Sequence, residues 1–463
     1  MKGADEGLPT SSPMLHPDQV HATLKRHQLA DGLPVVFDLE KSRGSWLVDA
    51  RTGKRHLDFF TCFASWPVGY NHPALSEPGF VERLRLAATH NPANSDLYTA
   101  LQAEFVEAFA TRATPRGFPY HFWISGGALA VENALKTAFD WKARKLGLAR
   151  VTDDGASLAV LHFRQAFHGR SGYTLSLTNT LPDKTALFPK FPWPRVHNPA
   201  LAFDADGGIA NDVEAEERRA LSEIDAAFAR HRDRIAAIVV EPMQAEGGDN
   251  HFRGEFLAAL RRIADEREAL LVFDEVQTGF WSTGEPWMWQ RFGVAPDIVA
   301  FGKKTQVCGI YASGRLDEVQ DHVFRKPSRI NSTWGGSLAD MVRSAKLLEI
   351  ILAEDLGARV ARTGERMLAG LRAIARERGG FSNVRGVGSL VAFTLADREA
   401  RQRMLADLRA REVLALPCGE SSVRFRLPFV LTEAEVDEGL ARVAECLRAE
   451  PTGRTAPSTR STH

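Results

Sequence analysis

The chain has 463 residues, 44% hydrophobic and 25% charged, with 58 acidic and 58 basic side chains and a formal net charge of zero. That length supports a large core spread over two or three domains. Balanced charge excludes the basic surplus of a nucleic-acid or anionic-membrane binder, and no apolar run is long enough to span a bilayer.

Residues up to about Ser12 are rich in Pro, Ser, Thr and Gly, as is the tail from Pro451 to His463, and both ends are expected to be disordered. The first six residues carry no apolar stretch of the kind an export signal needs. His121–Ile124 predicts a strand, and Val131, Leu135, Ala138 and Phe139 then fall on one helical face. Leu158–Phe163, Ile235–Val240 and Leu270–Phe273 are short apolar runs, as in strands buried on both faces. Phe256, Leu257, Leu260 and Ile263 predict a helix before the last of them. Strands alternating with helices imply a mostly parallel α/β sheet. From about Leu338 the pattern changes to a long helix over Met341–Ala353, then short strands at Leu390–Phe393, Val413–Leu416 and Val423–Phe425. Thr432-Glu433-Ala434-Glu435 is a capping box that opens the final helix. Cys62, Cys308, Cys418 and Cys446 form no C-x-x-C pair and no zinc-like spacing, which predicts a reducing, cytoplasmic setting and no metal site.

Chemistry-bearing residues gather at the predicted strand ends. Gly126-Gly127-Ala128 joins the His121–Ile124 strand to its helix, where backbone amides and the helix dipole suit a phosphate. Phe167-His168-Gly169-Arg170 follows the second strand, and Glu241 to Gly248, with Glu246, ends the third. Asp274 closes a strongly apolar strand, where a carboxylate is costly unless paired. Lys303 and Lys304 follow Pro296-Asp297-Ile298-Val299-Ala300-Phe301-Gly302. An amine in a stretch that follows an acid-tipped strand end is what a pyridoxal phosphate enzyme needs, the amine to bond the cofactor aldehyde and the carboxylate to keep its pyridine nitrogen protonated. Chemistry alone does not choose between the two lysines.

These motifs, in this order from about Leu57 to Pro428, resemble the class III (ω-amino acid) aminotransferases. The resemblance implies a fold-type I pyridoxal phosphate transferase. Its large domain would span 71–337 around a seven-stranded sheet, and a smaller α+β domain would span 338–450, joined by the N-terminal segment 1–70. It implies that Lys303, six residues after Asp297, is the lysine bonded to the cofactor. Asp274 would face the pyridine nitrogen, Gly127 and Ala128 would bind the phosphate, Phe167 would stack on the ring, Val276 would pack against it, and Gln277 would approach its phenolic oxygen. Arg170 would hold a substrate carboxylate and Phe63 would line the donor pocket. Glu246 would pair with Arg424 while an ω-amine donor is bound, then swing aside so that Arg424 meets the α-carboxylate of 2-oxoglutarate; Arg426, two residues on, competes for that role. Thr333 would reach the phosphate of the other subunit and Asn331 the substrate, which implies a homodimer with shared sites. Lysine leads the candidate donors, ahead of 4-aminobutyrate and ornithine.

Overall fold

A computed structural model describes residues 15–148, 150–151 and 158–447. The two ends expected to be disordered, 1–12 and 451–463, lie outside the described residues.

Seven strands form the central sheet in the order Tyr120–Ile124, Cys308–Ala312, Ile298–Phe301, Leu270–Asp274, Ile235–Val240, Ala159–Phe163, Arg195–Val196. Cys308–Ala312 runs antiparallel to both neighbours and the remaining pairs are parallel. All six side chains of Ile235–Val240 and all five of Leu270–Asp274 are buried, as a sheet covered on both faces requires. The helix Gly127–Lys145 buries Ala130, Val131, Ala134, Leu135, Ala138 and Trp141, a stripe at helical spacing that packs on this sheet. Gly254–Glu266 lays Phe256, Leu257 and Leu260 against the same core.

A second core gathers around the helix Leu356–Arg378, the final helix Glu433–Cys446 and the antiparallel sheet Ser382–Val387, Leu390–Thr394, Ser422–Arg426, Leu416–Cys418. The run Val413–Leu416, expected as one strand, is two. Val413–Leu414 pairs parallel with Leu57–Asp58, whereas Leu416–Cys418 pairs antiparallel with Ser422–Arg424. The apolar run breaks at Ala415 because its halves serve different sheets. The capping box forms as expected. Glu435 donates its amide to Thr432 Oγ1 at 3.2 Å, and its Oε2 accepts the Thr432 amide at 2.9 Å. The same carboxylate accepts from Trp46 Nε1 at 2.8 Å, which ties the N-terminal segment to the last helix.

Candidate active site

Five of the strands that share the main direction of the sheet deliver residues to one cleft from their C-terminal ends, the edge at which open α/β sheets bind ligands. The cleft measures about 830 Å³. Phe63, Gly127, Ala128, Phe167, Arg170, Glu246, Asp274, Val276, Gln277, Lys303 and Arg424 all line it. Asn331 and Thr333 do not; both are exposed, on a loop held by the Ser95 hydroxyl, which donates to the Ser332 carbonyl at 3.0 Å.

At one end of the cleft the helix Gly127–Lys145 begins without a side-chain cap and without an acidic residue in its first turn. Gly126 has φ of 106°, a conformation that suits glycine. Gly169 approaches so closely that a Cβ there would lie 2.4 Å from the Ala128 Cβ. Side chains are thereby kept off the helix N-terminus, and its free amides and dipole favour an anion.

Asp274 is buried at the end of its strand and holds His168 Nδ1 at 2.8 Å. Burial opposes the imidazolium, but the hydrogen bond and charge of Asp274 outweigh it, and the His168 pKa is raised. Glu241 lies nearby, accepting amides from Phe167 at 3.0 Å and Ala245 at 3.1 Å. Burial, with the Asp274 charge adding, pushes its carboxyl up to about 7 against the opposing pull of His168. Sequence reading assigned no role to His168 or Glu241. Their partners come from other strands, 106 and 74 positions away, so nothing local in the sequence marks them.

The two lysines separate cleanly. Lys303 faces the cleft, at φ of 54°, and burial together with the Arg424 charge lowers its pKa, with Asp274 opposing. Lys304 is no exposed bystander, the usual state of a lysine. It is buried, donates to the Gln277 carbonyl at 3.0 Å, and desolvation takes its pKa well down.

The arginines separate too. Arg426 is saturated: it donates to both carboxylate oxygens of Asp249 at 2.6 and 2.8 Å and to Gln277 Oε1 at 2.9 Å. Arg424, 3% exposed, has Nε and Nη1 buried without a partner. Desolvation and the Arg426 charge depress its pKa. The expected Glu246–Arg424 pair is not made in this structure. Glu246 Oε1 is bound instead by Lys184 Nζ, and Oε2 is buried without a partner. Lys184 comes from the one-turn helix Pro182–Lys184, remote in sequence, and nothing in its local pattern marks it. Arg170 is exposed, with Cζ 5.9 Å from the centre of the Phe167 ring.

The site fits pyridoxal phosphate on these observations. The uncapped helix start and glycine cradle suit its phosphate, Phe167 and Val276 offer ring contacts, Asp274 with His168 suits a pyridinium, and Lys303 supplies the amine.

A family model for class-III aminotransferases matches residues 29–447. The L-lysine-epsilon aminotransferase of Mycobacterium tuberculosis is 50% identical over 446 residues, covering 95% of this chain and 97% of that one. The enzyme of the same description from Streptomyces clavuligerus is 48% identical, covering 94% and 95%. A solved structure of the M. tuberculosis lysine aminotransferase superposes with a TM-score of 0.89 at 49% identity, covering 94% of this chain and 99% of that one. The chain belongs to the class-III aminotransferases, enzymes that work with pyridoxal phosphate.

Proposed function

We propose that this enzyme transfers the ε-amino group of L-lysine to 2-oxoglutarate, giving 2-aminoadipate 6-semialdehyde and L-glutamate. Arg424 carries the acceptor half of the reading. A buried guanidinium with two free nitrogens, lining the same cleft as Lys303, is poorly solvated and unpaired until a carboxylate arrives. A dicarboxylic oxo acid meets that need with a bidentate contact. The donor half is supported by relatives at 48–50% identity that are described as lysine-epsilon aminotransferases.

When bound, pyridoxal phosphate supplies an electron sink through its protonated ring. The residues around it divide the remaining work. Gly127 and Ala128 would hold the phosphate, Phe167 and Val276 the ring faces, and Gln277 the phenolic oxygen. Asp274 would keep the pyridine nitrogen protonated, and His168 supports that carboxylate from behind. Lys303 would hold the cofactor between turnovers and, once freed, carry a proton to and from the substrate carbon; its lowered pKa suits a base. Arg170 would take the α-carboxylate of lysine at the mouth of the cleft. Because Arg170 is exposed here, leaving it unpaired costs little, and donor preference rests on the contact it makes rather than on desolvation.

A homodimer completes the reading, with Thr333 reaching the partner's phosphate and Asn331 its substrate. Leu97, Tyr98 and Trp334 are 67%, 76% and 52% exposed beside the same Ser95–Ser332 contact, as surface awaiting a partner would be. A cytoplasmic setting agrees with four unpaired cysteines, and among the described residues no helix is long and apolar enough to cross a membrane. The deciding experiment is an amine-donor panel with 2-oxoglutarate, reading glutamate formation. Lysine is expected to exceed ornithine and 4-aminobutyrate in kcat/KM, and a preference for either of those would overturn the donor assignment. Sedimentation of the holoenzyme as a monomer would overturn the dimer.

A further inference from the structure

We infer that Lys184 is a specificity-determining residue: by holding Glu246 it keeps Arg424 open for the dicarboxylate acceptor and makes the donor-bound arrangement costlier. The inference rests on the reading of Arg424 as the acceptor's carboxylate site.

One carboxylate here has two cations to choose from. Glu246 is close enough to Arg424 for its charge to bear on the guanidinium, yet Arg424 Nε and Nη1 and Glu246 Oε2 all lack partners. The pair is within electrostatic reach and unmade, while Glu246 Oε1 is held by the Lys184 ammonium. Arg426 does not enter the competition, since Asp249 occupies both its terminal nitrogens. The ammonium has a second neighbour besides Glu246. Its Nζ stands 5.6 Å from the centre of the Phe167 ring, and Lys184 sits in a turn closed by the Thr185 amide donating to the Pro182 carbonyl at 2.9 Å.

Two consequences follow from the chemistry. With a dicarboxylate at Arg424, the Lys184–Glu246 pair is kept and both charges are balanced. With a donor that brings no carboxylate to Arg424, Glu246 must leave Lys184 to neutralise the guanidinium. The Lys184 interaction is therefore subtracted from donor binding and not from acceptor binding. Removing the ammonium while keeping the apolar stem should let Glu246 fall onto Arg424 and compete with the acceptor.

The test uses holoenzyme of Lys184→Met. Glutarate, a dicarboxylate without the reacting carbonyl, is titrated by calorimetry, and KM is measured for 2-oxoglutarate and for lysine. Glutarate affinity is expected to fall about tenfold, the loss of roughly one charge-assisted hydrogen bond's worth of discrimination. KM for 2-oxoglutarate should rise in step, KM for lysine should fall or hold, and kcat should stay within about twofold. Lys184→Arg should retain wild-type glutarate binding, and adding Glu246→Gln to Lys184→Met should restore it. Unchanged glutarate binding in Lys184→Met, an equal rise in KM for both substrates, or failure of Glu246→Gln to rescue would overturn the role of Lys184. Arg424→Lys is the control for the underlying reading: if it leaves glutarate binding intact, that reading fails, whatever Lys184→Met does.

Discussion

Arg424 and Arg426 stand two residues apart on one face of one strand, and replacing each by Met should give opposite results. Arg426 is paired through both carboxylate oxygens of a fully buried Asp249. Removing it strands that carboxylate, a loss of about 3–5 kcal/mol in stability. Arg424 is equally buried but has two nitrogens with no acceptor, so its removal relieves an uncompensated charge. Stability should hold, or rise by up to about 4 kcal/mol. The functional effects reverse this order. Two charge-assisted hydrogen bonds to a carboxylate are worth about 1.5–3 kcal/mol each, so Arg424→Met should lower kcat/KM for 2-oxoglutarate by about a hundredfold or more. Urea unfolding of both variants, with single-turnover rates for each half-reaction, reads the two axes separately. If Arg424→Met unfolds as readily as Arg426→Met and still accepts 2-oxoglutarate at the wild-type rate, the assignment of the two arginines is wrong.

Lys303→Ala should abolish turnover and the borohydride-trapped cofactor linkage, whereas Lys304→Ala should keep both. The latter should lose about 1–3 kcal/mol of stability, because the Gln277 carbonyl loses its donor. Glu246→Ala should slow the lysine half-reaction about tenfold or more relative to the glutamate half-reaction, since nothing then neutralises Arg424 with lysine bound; equal losses in single-turnover rates would reject that account. Burial holds the His121 imidazole down to about 4, below its ordinary 6.5, so the unfolded chain binds the extra proton between those values. Stability from this group is therefore complete above about 6.5 and lost as pH falls towards 4, by about 3 kcal/mol, and His121→Phe should flatten the unfolding free energy across that window.

Much of this site was legible because the parallel sheet converts sequence spacing into position. Asp297 accepts the Leu271 amide at 2.7 Å and a guanidinium nitrogen from each of Arg261 and Arg315, which pins the start of Ile298–Phe301. A four-residue strand then delivers Lys303 to the ligand-binding edge, six residues past that acid, the interval on which the resemblance rests. Asp274 and Glu246 follow by the same rule. What sequence did not show were partners across strands. His168 behind Asp274, Asp249 on Arg426 and Lys184 on Glu246 are separated by 106, 177 and 62 positions. The resemblance left Arg426 competing with Arg424, because residues i and i+2 share a strand face; the physical discriminator is which one already has a carboxylate.

Backbone strain at the site follows the same logic. Thr61, Cys62, Phe63 and Ala64 run consecutively at φ of 43°, 51°, 60° and 65°, a left-handed turn without glycine. Such residues cost about 1–2 kcal/mol each, so the turn must be overdetermined by what surrounds it. Asp58 accepts the Phe60 and Thr61 amides at 2.8 and 2.9 Å and the Tyr70 hydroxyl at 2.6 Å, and the Thr61 hydroxyl donates to the Arg426 carbonyl at 3.1 Å. Gln306 then joins this turn to the second strained one, donating its side-chain amide to the Ser65 carbonyl at 2.8 Å and to the Lys303 carbonyl at 3.2 Å. Local propensity thus gives way where Phe63 and Lys303 must be presented to one cleft, and a fixed network of buried hydrogen bonds holds them there. Asp58→Asn keeps the oxygen that accepts both amides but removes the charge and replaces the Tyr70 acceptor with an NH2 donor. If this network positions Phe63, that variant should raise KM for the donor while leaving glutarate binding at Arg424 unchanged. A parallel loss of both would mean that Asp58 supports the domain as a whole rather than the turn.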